Sequence, residues 1–309
     1  MNYLNKTIII IILLFVQEVF TQQLPQFTQY MYNTISINPA YAGSREVLSV
    51  VGIHRSQWSG FGRGPETQTL SIHSPLRNDQ LGLGFSFIKD ELGYENFTFM
   101  YADFSYTINI DSDIKLAFGL KAGFTQYNLD DELLRDEGLD PSIYGVRNRW
   151  EPNLGAGFLM HTNKWYVGLS SPRLMNVDKN SIRIDEIDYA VVDRLVYYLT
   201  GGYVFDINES VKFKPAFLVK ATNGAPMSYD LTGNFLFNEK LWLGAAYRIN
   251  EDVGALGALI DFQVSKQFRV GYAYEHPLSD INTYSNGTHE FLLMFEFNKT
   301  RRVKSPRYF

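Results

Sequence analysis

The chain is predicted to be all-β, a single transmembrane antiparallel up-and-down β-barrel of about fourteen strands with an N-terminal extension. Segments of about nine to eleven residues, the length of a tilted membrane strand, alternate large apolar side chains with small or polar ones. The connections between them alternate between short and long. The one long apolar run stands at the start and is too short to cross a bilayer as a helix, which needs about 20 residues.

The last hairpin shows the alternation best. Phe268, Val270, Tyr272 and Tyr274 share one face of its first arm, and Arg269, Gly271, Ala273 and Glu275 share the other. In its second arm Phe291, Leu293, Phe295 and Phe297 oppose Glu290, Leu292, Met294 and Glu296. Such an apolar face covers either a core or a lipid surface. Similar runs place strands at 47–55, 66–74, 80–88, 96–106, 114–123, 152–161, 164–170, 195–205, 211–220, 227–237, 239–248, 253–263, 266–275 and 288–297. Those at 96–106 and 195–205 alternate poorly.

Connections after even-numbered strands are short: Pro75–Asp79, Thr162–Asn163, Asp206–Ser210, Asn238 and Ser265, with Thr107–Asp113 a little longer. Those after odd-numbered strands tend to be long: Ser56–Pro65, Phe124–Glu151, Ser171–Arg194 and His276–Gly287. A soluble sandwich has no reason to sort its loops this way. An outer-membrane barrel does, with short turns and both termini in the periplasm. That choice turns the apolar face of the last hairpin to lipid. The last strand must then pair with the first near Val47–Arg55, because an unpaired edge finds no water inside a bilayer. Leu293→Arg is expected to cost about 2–4 kcal/mol at mid-membrane, and Glu290→Gln on the opposite face to cost little.

Composition agrees. Aromatics make up 15% of the 309 residues, with 20 Tyr and 23 Phe, and Gly is frequent at 24. A mean hydropathy of −0.16 resembles that of a soluble protein, but strands with alternating faces average to the same value. A net charge of −5 argues against nucleic-acid binding, which needs a basic face. With no Cys, neither disulfides nor thiolate metal sites are available.

Four regions follow along the chain. Residues 1–21 read as a signal peptide: Lys6, then the apolar run Ile8–Val16, with cleavage after Thr21 leaving Gln22 first. Residues 22–46 form an extension, read as a lumen plug or a periplasmic segment. Within it Phe27, Tyr30, Met31 and Ile35 are spaced for one side of a short helix. Residues 47–297 are the barrel, and 298–309 a basic periplasmic tail.

Chemistry-bearing constellations are few. The histidines 54, 73, 161, 276 and 289 include no pair with zinc-ligand spacing. Ser71 and His73 share a strand face near His54 and Ser56, but same-face neighbours about 6–7 Å apart lack the contact that nucleophile activation needs. They read as polar lumen or rim residues. The acidic loop Asp130–Asp140 has only a faint calcium-loop pattern in Asp136, Gly138 and Asp140, and reads as a solvated loop. No cofactor is expected. In the Gly-rich loop Ser56–Pro65, Trp58, Phe61 and Arg63 are interface-prone residues. Partner binding, folding into the lumen and anchoring at the membrane interface all remain open for it. The tail, with Arg301 and Arg302 among its five basic residues, either touches a periplasmic partner or is a solvated end.

Several blocks resemble the PorP/SprF family of type IX secretion system outer-membrane proteins. They are Pro25-Gln-Phe-Thr-Gln-Tyr-Met-Tyr-Asn33, Asn38-Pro-Ala-Tyr-Ala-Gly43, His54-Arg-Ser-Gln-Trp58, Trp165-Tyr-Val-Gly-Leu-Ser-Ser-Pro172 and Ser305-Pro-Arg-Tyr-Phe309. The resemblance spans essentially the whole mature chain; Thr21 at the cleavage site departs from it. It implies a non-enzymatic barrel beside the type IX translocon that helps a large secreted adhesin, often with a type B C-terminal domain, to reach or stay on the surface, in some cases for gliding motility. Partners so implied are outer-membrane lipid, the secretion machinery and the cargo. The alternative from the residues alone is a passive channel for small solutes, with Lys115, Lys121, Lys212, Lys214, Lys220, Arg269, Glu275 and Glu290 facing a watery lumen.

Overall fold

A computed structural model describes residues 25–76, 80–130, 148–175, 195–222, 225–250 and 254–297. The predicted signal peptide, most of the acidic loop and the basic tail lie outside these residues.

The described chain is an antiparallel barrel. Its strands are β1 (Leu48–Ser56), β2 (Glu66–Pro75), β3 (Leu81–Leu92), β4 (Glu95–Asn109), β5 (Lys115–Leu129), β6 (Arg149–His161), β7 (Trp165–Arg173) and β8 (Val196–Tyr203). There follow β9 (Phe205–Asp206), β10 (Val211–Thr222), β11 (Ser228–Phe237), β12 (Leu241–Ile249), β13 (Ala255–Gln263), β14 (Phe268–Pro277) and β15 (Thr288–Phe297). Each pairs with its sequence neighbours, except that β8 and β9 both pair with β10, and β15 returns to β1 in the register Leu48↔Phe297 to Ser56↔His289. The ring is therefore closed, as a bilayer demands of any sheet that crosses it.

The wall has fourteen strands, because β8 and β9 are one strand interrupted at Val204. Its partner β10 explains the interruption. Gly202↔Ala216 and Phe205↔Phe213 keep a single register, so no residue is inserted. Pro215 stands opposite Tyr203, just before the break, and has no N–H to give to the ladder. The expected strand 195–205 thus runs as two pieces.

The two faces separate as the alternation requires. Leu293 is 55% exposed while Leu292 beside it is 1% exposed. Leu70, Leu83, Phe104, Leu120, Phe158, Leu169, Leu231, Ile260 and Phe291 continue the outward apolar band around the wall. β4 and β8 alternate poorly in sequence because their inward faces are aromatic too. Phe97, Phe99 and Tyr101 of β4 are buried in one cluster with Ile88, Tyr127 and Leu129, and Tyr198 of β8 is buried in another.

β4 and β5 run longer than expected, to Glu95 and Leu129, and β6 starts at Arg149. Residues 124–129 and 149–151 of the predicted Phe124–Glu151 loop are therefore ladder. One connection at the long-loop end is tight: β3 turns into β4 at Gly93-Tyr94, with Gly93 at φ +62°.

Candidate functional site

The interior of the barrel is occupied by the chain's own residues 25–45. They fold as three short turns: a 3₁₀ turn at Tyr30–Tyr32, an α-turn at Thr34–Ile37 and a 3₁₀ turn at Pro39–Tyr41. Pro39 suits its place, since the first helical position has no N–H partner to lose. Asn38 caps that turn by accepting from Ala40 N at 3.0 Å, and its amide donates to Phe158 O of β6 at 3.0 Å. The expected one-sided helix is absent. The segment is buried on nearly every side, since wall surrounds it.

Apolar contact fixes the segment along its length. Phe27 packs with Val51, Ile53, Leu292 and Met294; Tyr30, Met31 and Ile37 pack with Tyr198, Leu218 and Leu259; Ile35, Ala40 and Tyr41 pack with Ala117, Leu159 and Tyr166. The wall leaves room where the backbone comes closest. A Cβ on Gly119 would lie 2.1 Å from Ala40 N, and one on Gly82 would lie 2.1 Å from Ala42 O. Only glycine admits the segment at those two points.

Polar groups then set its path. Near the long-loop end, Gln26 donates to Ser228 Oγ and to Asp230. Thr28 N and Gln29 N donate to the two oxygens of Glu290, at 3.0 and 2.8 Å. Glu290 also binds Arg55 Nη1 at 3.0 Å, whose Nη2 reaches Glu275 at 2.7 Å. Arg248 joins Glu275 at 3.2 Å and Asp230 at 2.6 Å, so five wall charges form one network beneath the start of the segment. Midway, Ser71 Oγ donates to Asn33 Oδ1 at 2.6 Å, and Lys121, paired with Asp103 at 2.8 Å, donates to Ile35 O at 3.2 Å. Tyr32 donates to Asp261 at 3.2 Å beneath Arg269. At the short-turn end, Gly43 N donates to His73 Nδ1 at 3.1 Å, Arg45 pairs with Glu296 at 2.5 Å and Glu46 with Lys115 at 2.8 Å.

The segment therefore runs the height of the lumen, from Gln26 at the long-loop end to Glu46 at the short-turn end. β1 begins and β15 finishes at that second end.

The sequence-predicted residues now have places. Ser71 and His73 do share an inward face, and each binds the lumen segment rather than the other. Lys121, Lys214, Lys220, Glu275 and Glu290 are buried inside, and Arg269 lies partly buried over Tyr32. Lys115 stands at the rim, and Lys212 lies near the turn end, where it and Lys164 hold Asp206. The Asp206 hydrogen bond raises the exposed Lys164 ammonium above the ordinary lysine pKa. The expectation that Glu290→Gln costs little loses its basis: the residue is 0% exposed and binds one arginine and two backbone amides.

The loop Ser56–Pro65 stands on the rim. Ser59 N donates to Gly287 O at 2.8 Å and Asn286 N to Ser59 O at 2.6 Å, zipping it to the β14–β15 loop. Trp58 and Arg63 both hold left-handed backbone, at φ +54° and +58°. Arg63 reaches Asp130 at 3.0 Å and lies 4.1 Å over the Tyr94 ring, while Phe61 points outward at 46% exposure. These contacts tie the loop to neighbouring rim connections rather than drawing it into the lumen. Arg301 and Arg302 lie outside the described residues. Among the described residues no group of three or more His, Cys, Asp or Glu is placed to hold a metal.

Sequence reasoning missed Arg55 and Arg248. The available signal was positional: one charged residue on the inward face near the long-loop end of each of β1, β11, β12, β14 and β15.

A closed ring of fourteen strands with an apolar belt outside and charges within defines an outer-membrane β-barrel. The chain belongs to the type IX secretion system membrane protein PorP/SprF family, whose profile matches residues 19–295. It is thus a type IX secretion-related outer-membrane protein. No curated protein matches it. Among solved structures it is similar in fold to the CymD monoaromatic hydrocarbon channel, at 12% identity and TM-score 0.52 over 89% of this chain and 94% of that one. It is likewise similar to the Ralstonia pickettii toluene transporter TbuX, at 11% identity and TM-score 0.51 over 84% and 92%.

Proposed function

We propose that this barrel is a non-enzymatic accessory of the type IX secretion machinery that helps to secrete, or hold at the cell surface, a partner adhesin or similar cargo, including adhesins of gliding motility. The observation that carries the reading is the occupied lumen. A barrel whose interior is packed and hydrogen-bonded to its own chain from end to end is built as a scaffold, not as a conduit. Membership of the family supports the link to the secretion machinery.

In this reading the long-loop end faces outward, as in barrels with short periplasmic turns. Trp58, Phe61 and Arg63 meet the cargo there, on a loop whose shape is held by neighbouring rim contacts. The basic tail, with Arg301 and Arg302, meets the machinery in the periplasm. The test is deletion of the gene followed by a cell-surface adhesin assay. Surface cargo is expected to fall; unchanged display and motility would overturn the reading.

A further inference from the structure

We infer that, against the expectation of two periplasmic termini, the mature amino terminus emerges at the extracellular mouth of the barrel, the chain being threaded downward through the lumen before β1 begins. This rests on the orientation in the proposed function, with long loops outside.

Three observations carry it. The direction of the segment is fixed at both ends: Gln26 binds Ser228 and Asp230, the first and third residues of β11, and Arg45 binds Glu296, one residue before the end of β15. The start is latched rather than resting there, because Thr28 N and Gln29 N both donate to Glu290, which Arg55 holds. A buried carboxylate that accepts two backbone amides and an arginine has little freedom to move.

Reach excludes a return. From Asp230 to the far end of β11 is about 23 Å along the strand, or about 18 Å of height at a barrel tilt of about 40°. With cleavage after Thr21, only residues 22–25 precede Gln26, and four residues extend to about 14 Å at most. The way down is already filled by residues 27–45. The mouth lies only about 7 Å above Asp230.

An ordering in assembly follows. The ring has no open edge, so a chain still joined to its signal peptide could leave a seated segment only through the outer mouth. The signal must be removed before residues 25–45 take their place.

The chain has no cysteine, so single cysteines can report position without a background. Cells carrying Gln23→Cys, Gly62→Cys or Ser112→Cys are treated with a membrane-impermeant maleimide before and after the outer membrane is permeabilised. Gly62 lies in the Ser56–Pro65 loop with nothing within 4 Å of an added Cβ, and Ser112 lies in the β4–β5 turn at the other end. Heat-modifiable migration on gels confirms a folded barrel in each. Gln23→Cys is expected to label in intact cells to the extent of Gly62→Cys, and Ser112→Cys only after permeabilisation. An eight-residue epitope inserted after Gln22 is expected to bind antibody on intact cells, which guards against a thiol hidden by the rim. Protection of both the cysteine and the epitope in intact cells overturns the inference. A protected Gly62→Cys with a labelled Ser112→Cys would instead overturn the orientation, a separate result.

Discussion

Glu290 and Leu293 lie three residues apart on β15 and face different worlds. Leu293 points outward with the apolar belt; Glu290 points into a network with Arg55, Glu275, Arg248 and Asp230. Leu293→Arg is expected to destabilise the barrel by about 2–4 kcal/mol, the cost of a cation near the bilayer midplane. Glu290→Gln removes the charge from a buried pair and opposes its amide NH₂ to one of the two N–H donors, Thr28 or Gln29, while its oxygen still accepts from the other. It is expected to cost about 1–3 kcal/mol, because a buried backbone N–H loses its acceptor while Arg55 keeps Glu275. Urea titrations of the lipid-embedded barrel measure both, and a Glu290→Gln midpoint matching the parent would sink the latch. An alternating pattern shows that Glu290 faces inward. It cannot show that the inside is packed, because that depends on which distant residues arrive there.

At the scale of elements, the lumen segment is the part whose role depends on fit. Gly119 is the point of closest approach, so Gly119→Val must push back the Ala40 backbone. Overpacking of this kind costs about 1–3 kcal/mol, and loosened residues 25–45 should become sensitive to protease. Gly52, on the opposite face, meets nothing nearer than 3.9 Å and serves as control. Gly52→Val should leave protease resistance unchanged, and equal behaviour of the two variants would refute the fit. The strands were legible wherever one face was apolar and the other was not. β4 and β8 were blurred because inward aromatics copied the outward pattern. The break at Val204 was not legible at all: Pro215 stands in a different strand, and its effect on the ladder appears only once the register is known.

For the whole molecule, the filled lumen predicts little ion flow. Purified barrel in a planar bilayer should show low conductance, and a variant lacking residues 25–45 should conduct steadily through the vacated interior. A large steady conductance from the intact chain would favour the channel reading instead. The two rim loops are tied by backbone bonds around Ser59, so the surface offered to a partner is held in place by the barrel rather than formed afresh on contact.

The sequence by itself determined the barrel: period-two faces, sorted loop lengths and an aromatic-rich apolar belt are local properties, legible one strand at a time. It also carried the family motifs. Only the tertiary structure decided what those motifs do in space. Residues 25–45 lie in the lumen because Gly82 and Gly119, nearly forty residues apart in the chain, leave gaps on one inner wall, and because Glu290, more than two hundred and fifty residues downstream of Thr28, supplies its acceptors. Long-range closure brings such groups together, and no local pattern records which of them will meet.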